Sequence, residues 1–174
     1  EPEELKHYVT RTFDSLWSAV TFGKDANQPL LVRGIGGMGK SALIGKFVLD
    51  HALFAGVDLP FAYLDFDRAA LAPRQPLQLL IEIAAQLGLA LPSVEPELSK
   101  LRADLRQTID NQAKNFTRRQ RESATGSELS SYCESLRSIV EKVNDGKAPV
   151  LIVFDTYEIV QYDEEAVAGV KALI

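Results

Sequence analysis

The sequence predicts an α/β fold with a mostly parallel β-sheet. Two short segments, residues 61–66 and 150–154, are apolar and rich in aromatic or β-branched side chains, which is typical of strands. Between them, apolar residues recur at helical spacing, most clearly over residues 77–87 and 129–143. Strands that are separated by helices favour a parallel sheet, because a crossover helix brings the chain back to the edge at which the first strand began.

The elements in the first part of the chain follow from the same periodicities. Apolar residues at helical spacing over residues 5–20 predict an amphipathic helix, so that residues 1–28 form a helix leading into the domain. The short apolar run at 29–33 predicts a buried strand, and the spacing of apolar residues over 42–51 predicts the helix after it. We assign residues 29–174 to one domain.

The second part of the chain continues the alternation. Pro76 suits the first turn of a helix that Gly88 would stop, and a further helix is predicted over residues 98–109. Residues 110–126 contain one large apolar residue, Phe116, so we predict a polar, mobile insert there. The last helix is predicted to begin at Asp163.

Composition narrows the class of protein. The chain has 174 residues, of which 46% are hydrophobic and 25% charged, as in globular domains. A net charge of −5 argues against a protein that coats nucleic acid, and no apolar run approaches the ~20 residues of a membrane span. The single cysteine, Cys133, excludes a disulfide framework and favours a reducing, cytoplasmic location. The chain begins without Met and ends in an apolar stretch, so we expect it to be part of a longer protein.

Residues 34–41 carry the most specific signal in the chain. They match the pattern G-x-x-x-x-G-K-[ST] of a phosphate-binding loop, or P-loop, between a predicted strand and a predicted helix. Glycines allow the backbone to curl so that its N–H groups point at phosphates, and the helix N-terminus favours the same anion. Lys40 would reach the β- and γ-phosphates, and Ser41 would bind Mg²⁺. The alternative is a glycine-rich surface turn, which the flanking strand and helix disfavour. The predicted nucleotide-binding residues are Gly34, Ile35, Gly36, Gly37, Met38, Gly39, Lys40, Ser41 and Ala42.

Two acidic residues follow the last predicted strand. A buried strand holds Asp155 at the carboxyl edge of the sheet, where a carboxylate can bind Mg²⁺ opposite Ser41. Glu158 lies close behind it and can polarise a water molecule for attack on the γ-phosphate. The alternatives are a turn-capping aspartate and a solvated loop glutamate. Asp65 and Asp67 end the other strand, and for them loop capping is favoured over a role near the nucleotide.

The two motifs together resemble those of a known class. GIGGMGKS after LLVR, paired with VLIVFDTYE, looks like the STAND class of P-loop NTPases, which includes the NACHT and NB-ARC families and is related to AAA+ proteins. The resemblance covers roughly residues 28–160. It implies a three-layer P-loop NTPase fold, incomplete on its C-terminal side, with the γ-phosphate sensor and the ADP-locking subdomains beyond Ile174. Many relatives carry a second acidic residue where this chain has Thr156, whereas Glu158 matches an acidic position of the NACHT pattern.

The expected function is therefore that of an ATP-dependent switch. We expect the domain to bind ATP or ADP with Mg²⁺ and to hydrolyse ATP slowly, with Lys40 and Glu158 as its catalytic residues. ATP is favoured over GTP, because the sequence has no guanine-reading N-K-x-D motif. Two alternatives stay open: a nucleotide-binding interaction module without turnover, and a small-molecule kinase. The expected partners are the nucleotide and either a second copy or other domains of the same protein, but not a membrane and not nucleic acid through this domain.

Overall fold

The computed structural model describes residues 31–50, 60–68, 71, 73–114, 121–144 and 150–173. These residues form a mixed α/β structure. The helices are α1 (Lys40–Val48), α2 (Pro76–Ala90), α3 (Glu95–Lys114), α4 (Arg121–Asn144) and α5 (Glu164–Lys171), and the strands are β1 (Phe61–Asp65) and β2 (Leu151–Asp155). Short 3₁₀ turns occur at Pro92–Val94 and Tyr157–Ile159.

The chain divides into two compact units. The first comprises residues 1–60 and 147–151, and contains α1 with the segment before it. The second comprises residues 61–146 and 152–174, and contains β1, most of β2 and the other helices.

Strands β1 and β2 pair in parallel, which confirms that part of the predicted fold class. At one end the Leu151 N–H donates to the Pro60 carbonyl at 2.9 Å, and at the other the Phe66 N–H donates to the Asp155 carbonyl at 3.1 Å. Ala62 and Leu64 of β1 are buried, and the residues between them are half-buried. Every residue of β2 is half-buried, although its unbroken apolar run predicts burial on both faces. Among the described residues, α2 packs on β1, and no helix packs comparably on β2.

Helix α2 closes the second edge of β1 with a side chain. The Tyr63 N–H donates to Gln86 Oε1 at 2.7 Å, and Gln86 Nε2 donates to the Tyr63 carbonyl at 3.0 Å. Gln86 Nε2 also donates to Glu82 Oε1 at 2.7 Å, which holds the amide in place. The amide therefore satisfies both backbone groups of Tyr63, as a neighbouring strand would.

The core of the second unit lies between the helices. Helix α2 begins at Pro76 as predicted, packs on α3, and runs two residues beyond the predicted stop at Gly88. Helices α3 and α4 also pack on each other, with the Thr108 and Tyr132 hydroxyls 2.7 Å apart. The buried apolar side chains of these three helices are Leu77, Leu79, Leu80, Ile83, Ala84, Leu87, Leu98, Leu101, Leu105, Leu129, Leu136 and Val140.

Cys133 of α4 is half-buried, and burial raises the pKa of its thiol.

Arg102 of α3 forms an ion pair within its own helix and also bonds to α2, next to a glycine. Arg102 Nη2 lies 2.5 Å from Glu95 Oε1, and Arg102 Nη1 donates to the Ala84 carbonyl at 3.2 Å. The hydrogen bond from Arg102 lowers the pKa of Glu95. A Cβ at Gly88 would lie only 1.8 Å from Glu95 Oε2, so a glycine there leaves room for the carboxylate.

Several predicted features differ from the structure or lie outside it. The predicted strand at 29–33 has no strand geometry in its described residues, 31–33. The N-terminal helix expected within residues 1–28 lies outside the described residues. The predicted insert, 110–126, has helical backbone at 110–114 and 121–126, and residues 115–120 lie outside the described part. Within the described residues no single helix is both long and apolar enough to cross a membrane, although α2 and α3, bent by 119°, pass that test as a pair by length and composition.

Candidate functional site

The glycine loop makes a tight turn that leads directly into α1. The Met38 N–H donates to the Ile35 carbonyl at 3.3 Å, and the backbone is left-handed at Gly37 (φ 78°) and Gly39 (φ 80°). Gly39 is the N-cap of α1, and its carbonyl accepts from the Leu43 N–H at 2.8 Å. Since residues with a Cβ rarely adopt this conformation, the spacing of the glycines in the motif matches the backbone that the loop adopts.

Space around the loop is open on the side of the glycines. Among the described residues, a Cβ at Gly36, Gly37 or Gly39 would meet no other atom within 4 Å, whereas a Cβ at Gly34 would lie 3.5 Å from Lys40 Cδ. The Ile35 and Met38 side chains are 79% and 70% exposed. Glycines that are not needed for internal packing leave the backbone accessible to a ligand.

Lys40 folds back onto the loop that precedes it. Its ammonium donates to the Gly34 carbonyl at 3.0 Å and lies 3.4 Å from the Ile35 carbonyl as a second acceptor. The loop therefore surrounds a positive charge at the N-terminus of α1, where the helix dipole also favours an anion. Ser41 and Ala42, in the first turn of α1, are exposed.

Asp155 ends β2, and its carboxylate is held at both oxygens. The Tyr63 hydroxyl donates to Oδ2, and the Thr156 N–H donates to Oδ1 at 2.8 Å. Burial is the main cause that raises the pKa of Tyr63 above its ordinary value, and the hydrogen bond to Asp155 adds to it. The phenol thus stays protonated and acts as the donor in this contact.

The neighbouring Thr156 connects the ends of the two strands. It has a left-handed backbone (φ 57°), and among the described residues it is the only non-glycine residue with a positive φ. Its hydroxyl donates to Asp65 Oδ1 at 2.8 Å, and the Asp67 N–H donates to the same oxygen at 3.0 Å. Asp65 therefore caps its loop, as favoured from the sequence. A β-branched residue in this conformation is strained, and such strain is most often retained where a side-chain position is needed.

Glu158 lies in the 3₁₀ turn that follows, and its side chain is exposed. Its carbonyl accepts from Gln161 Nε2 at 3.2 Å, which anchors the backbone of the turn. The structure thus gives Glu158 an accessible carboxylate near the end of β2, in the same unit as Asp155.

Sequence reasoning missed Tyr63 and Thr156. Tyr63 and Asp65 lie two residues apart in β1, so strand alternation puts them on one face and could have pointed to Tyr63. No sequence signal marks the left-handed backbone of Thr156, because threonine is rare in that conformation. The glycine loop, with Lys40 and Ser41, belongs to the first compact unit, and Asp155 and Glu158 belong to the second.

Mg²⁺ prefers hard oxygen ligands. In phosphate-binding sites this ion usually takes one or two protein oxygens and completes its shell with phosphate and water. The residues predicted from the sequence to bind Mg²⁺, Ser41 and Asp155, carry a hydroxyl and a carboxylate, which are oxygen groups of this kind. A carboxylate has about four lone-pair sites, so hydrogen bonds from Tyr63 and Thr156 do not exhaust its capacity. Among the described residues no group of three or more His, Cys, Asp or Glu side chains could hold a metal ion by itself.

No family model, no curated protein and no solved structure matches this chain.

Proposed function

We propose that this chain is the ATP-binding part of a nucleotide-dependent switch protein, and that it hydrolyses ATP slowly. The observation that carries the proposal is the arrangement around Lys40: an ammonium held by the carbonyls of an exposed loop with two left-handed glycines, at the start of a helix. A loop of this composition and backbone serves anion binding, since N–H groups, helix dipole and ammonium all favour negative charge.

In the proposed complex the loop from Gly34 to Ala42 encloses the phosphates. Lys40 exchanges its bonds to the Gly34 and Ile35 carbonyls for bonds to the β- and γ-phosphates, which are stronger because both partners are charged. Ser41 and Asp155 hold Mg²⁺, which supplies charge neutralisation at the phosphates when bound. Phosphoryl transfer depends mainly on positioning and charge stabilisation, so these residues account for most of the expected catalysis.

Slow hydrolysis follows from the residues near the end of β2. Glu158 is the proposed base that orients the attacking water, and its exposed position leaves its carboxylate solvated. Thr156 occupies the position at which many STAND proteins have a second acidic residue, and its hydroxyl is bonded to Asp65. In this proposal Glu158 is the candidate base. Because hydrolysis is slow, the ATP-bound state of the switch is long-lived.

The finer assignments belong to the same proposal. We infer a three-layer P-loop NTPase fold of the STAND class, to which the parallel β1–β2 pair and its flanking helices contribute. We also propose a cytoplasmic location, and assembly through a second copy or other domains of the same protein.

The first test is ATP affinity measured by calorimetry on the full chain. Lys40→Ala should weaken binding about 10- to 100-fold, in line with ~1.5–3 kcal/mol for hydrogen bonds to charged groups. The matched control is Lys46→Ala, which removes another exposed lysine of α1, one that pairs with Asp50. This variant should bind ATP as the wild type does. Equal ATP affinity in the Lys40→Ala and wild-type chains would overturn the nucleotide site.

The second test measures phosphate release. Glu158→Gln should abolish slow turnover while ATP still binds, and the matched control Glu164→Gln, in the first turn of α5, should leave turnover unchanged. A wild-type chain that binds ATP but releases no phosphate would instead be an interaction module without turnover. Phosphate transfer to a small-molecule acceptor would identify a kinase.

A further inference from the structure

We propose that Tyr63 is a positioning residue for Asp155: its hydroxyl fixes the orientation in which that carboxylate binds Mg²⁺. This inference rests on the proposed function, and it adds a residue outside both sequence motifs. Tyr63 and Asp155 lie far apart in the sequence, yet both belong to the second compact unit, where the parallel pairing of β1 and β2 brings them together.

The contact restrains Asp155 from two directions. The Tyr63 hydroxyl on Oδ2 and the Thr156 N–H on Oδ1 bind different oxygens, so rotation of the carboxylate would break at least one of the bonds. One donor is a side chain from the neighbouring strand, and the other is the backbone of the next residue. A metal ligand fixed in this manner loses little conformational entropy when the ion binds.

The donor is itself fixed. Both backbone groups of Tyr63 are bonded to the amide of Gln86, and Gln86 is bonded to Glu82. Next to this contact, the ring of Phe66, directly after β1, stacks on the ring of Phe154 in β2 with their centroids 5.9 Å apart. The backbone that carries the phenol is therefore held by Gln86 on one edge of β1 and by β2 on the other, as a group that orients a ligand needs.

The expected effect is on metal affinity. Hydrogen-bond partners of metal ligands orient the ligand, and their loss typically weakens metal binding about 10- to 100-fold. A tyrosine that served only the fold would affect nucleotide binding with and without metal to the same extent. A hydroxyl that competed with the ion for Oδ2 would strengthen metal binding on removal. The three roles therefore predict changes in affinity that differ in sign or in their dependence on the metal.

The experiment compares ADP affinity in Mg²⁺ and in EDTA by calorimetry on the full chain. Tyr63→Phe should reduce the gain in affinity that Mg²⁺ gives by about 10-fold and leave the affinity in EDTA unchanged. Tyr132→Phe is the matched control, because its hydroxyl bonds to Thr108 between α3 and α4. On an Asp155→Asn background, Tyr63→Phe should have no further effect on the gain from Mg²⁺.

The outcomes separate this proposal from the proposed function. A wild-type chain that does not bind ADP would overturn both. Normal binding by the wild type, with an unchanged or larger gain from Mg²⁺ in Tyr63→Phe, would overturn only the role of Tyr63. An equal loss in Mg²⁺ and in EDTA would assign Tyr63 to the fold alone, and would also overturn its positioning role.

Discussion

The side-chain amide of Gln86 bonds to both backbone groups of Tyr63, at 2.7 and 3.0 Å, and so takes the place of a strand at the edge of β1. An exposed strand edge with unpaired N–H and C=O groups is a template for association with other chains. A helix side chain that occupies those groups protects the edge and also attaches α2 to the strand.

We predict that Gln86→Leu lowers the free energy of unfolding by about 1–3 kcal/mol. The substitution leaves the half-buried Tyr63 N–H and carbonyl without their side-chain partner, which costs the desolvation of each group. Urea denaturation followed by circular dichroism would measure the change. Gln107→Leu, at an exposed position of α3, is the control and should have a much smaller effect. Equal stability of the two variants would contradict the role of Gln86.

The glycines of the loop should differ in their tolerance to alanine. Gly39→Ala places a Cβ on a backbone with φ 80° and should destabilise the loop by about 1–2 kcal/mol. Gly36 has no positive φ, and a Cβ there meets no atom of the described residues within 4 Å, so Gly36→Ala should leave stability unchanged. Gly36→Ala should nevertheless weaken ATP binding, because the new methyl group occupies the space proposed for phosphate. Thermal denaturation and calorimetry would measure the two effects, and a destabilised Gly36→Ala would contradict the description of the loop.

At position 156 the glycine variant should be more stable than the alanine variant, whereas alanine is usually the more stabilising of the two residues. Both Thr156→Ala and Thr156→Gly lose the hydroxyl bond to Asp65, so that loss cancels in their comparison. Only glycine relieves the left-handed backbone at φ 57°, and we expect Thr156→Gly to be more stable than Thr156→Ala by about 1 kcal/mol. Chemical denaturation of the two variants tests this, and a more stable alanine variant would mean that the backbone at 156 is not left-handed.

The start of α5 should give a pH-dependent contribution to stability. Asp163 is its N-cap: the carboxylate accepts from Arg74 Nε at 2.6 Å and from the Ala166 N–H at 3.2 Å, and the Arg74 bond is the main cause that lowers its pKa. A pKa that is lower in the folded state gives stability above the pKa of the unfolded chain, and this stability is lost as pH falls through the folded value.

Asp163→Asn should therefore be less stable than the wild type at pH 7, and the difference should shrink as pH falls below ~4. Asp163→Ser keeps a neutral capping group and provides the comparison for the charge alone. Denaturation between pH 7 and 3 would measure both. A difference that stays constant over this range would contradict the role of the ionised carboxylate.

Local patterns were sufficient to predict most of the helices and both described strands. Apolar periodicity detects the buried face of a helix, so it found the centres of α3 and α4 and not their ends. Helix α3 continues to Lys114 through residues 110–114, which contain no large apolar residue and so leave no apolar signal. The apolar run of β2 likewise predicted a strand but not its burial. How far a strand is buried depends on which elements cover it, and every residue of β2 is half-buried.

Of the candidate site, the sequence predicted a curled glycine loop that leads into a helix. The structure has left-handed backbone at Gly37 and Gly39, and α1 begins at Lys40. The contact between Tyr63 and Asp155 could not be predicted, because it depends on the register of two strands far apart in the sequence. The segment before the loop reads as a strand, yet Leu31 is 60% exposed, and its described neighbours form no ladder.

The missing side chain at Gly88 has a consequence for how this protein can diverge. A methyl group there would require the Glu95 carboxylate to move, which disturbs its ion pair with Arg102, while Arg102 keeps its bond to the Ala84 carbonyl of α2. A substitution at position 88 is therefore coupled to the ion pair between positions 95 and 102. In orthologues we expect glycine at 88 to accompany the acid and base at the other two positions, and a bulkier residue at 88 to accompany a shortened or uncharged residue at 95.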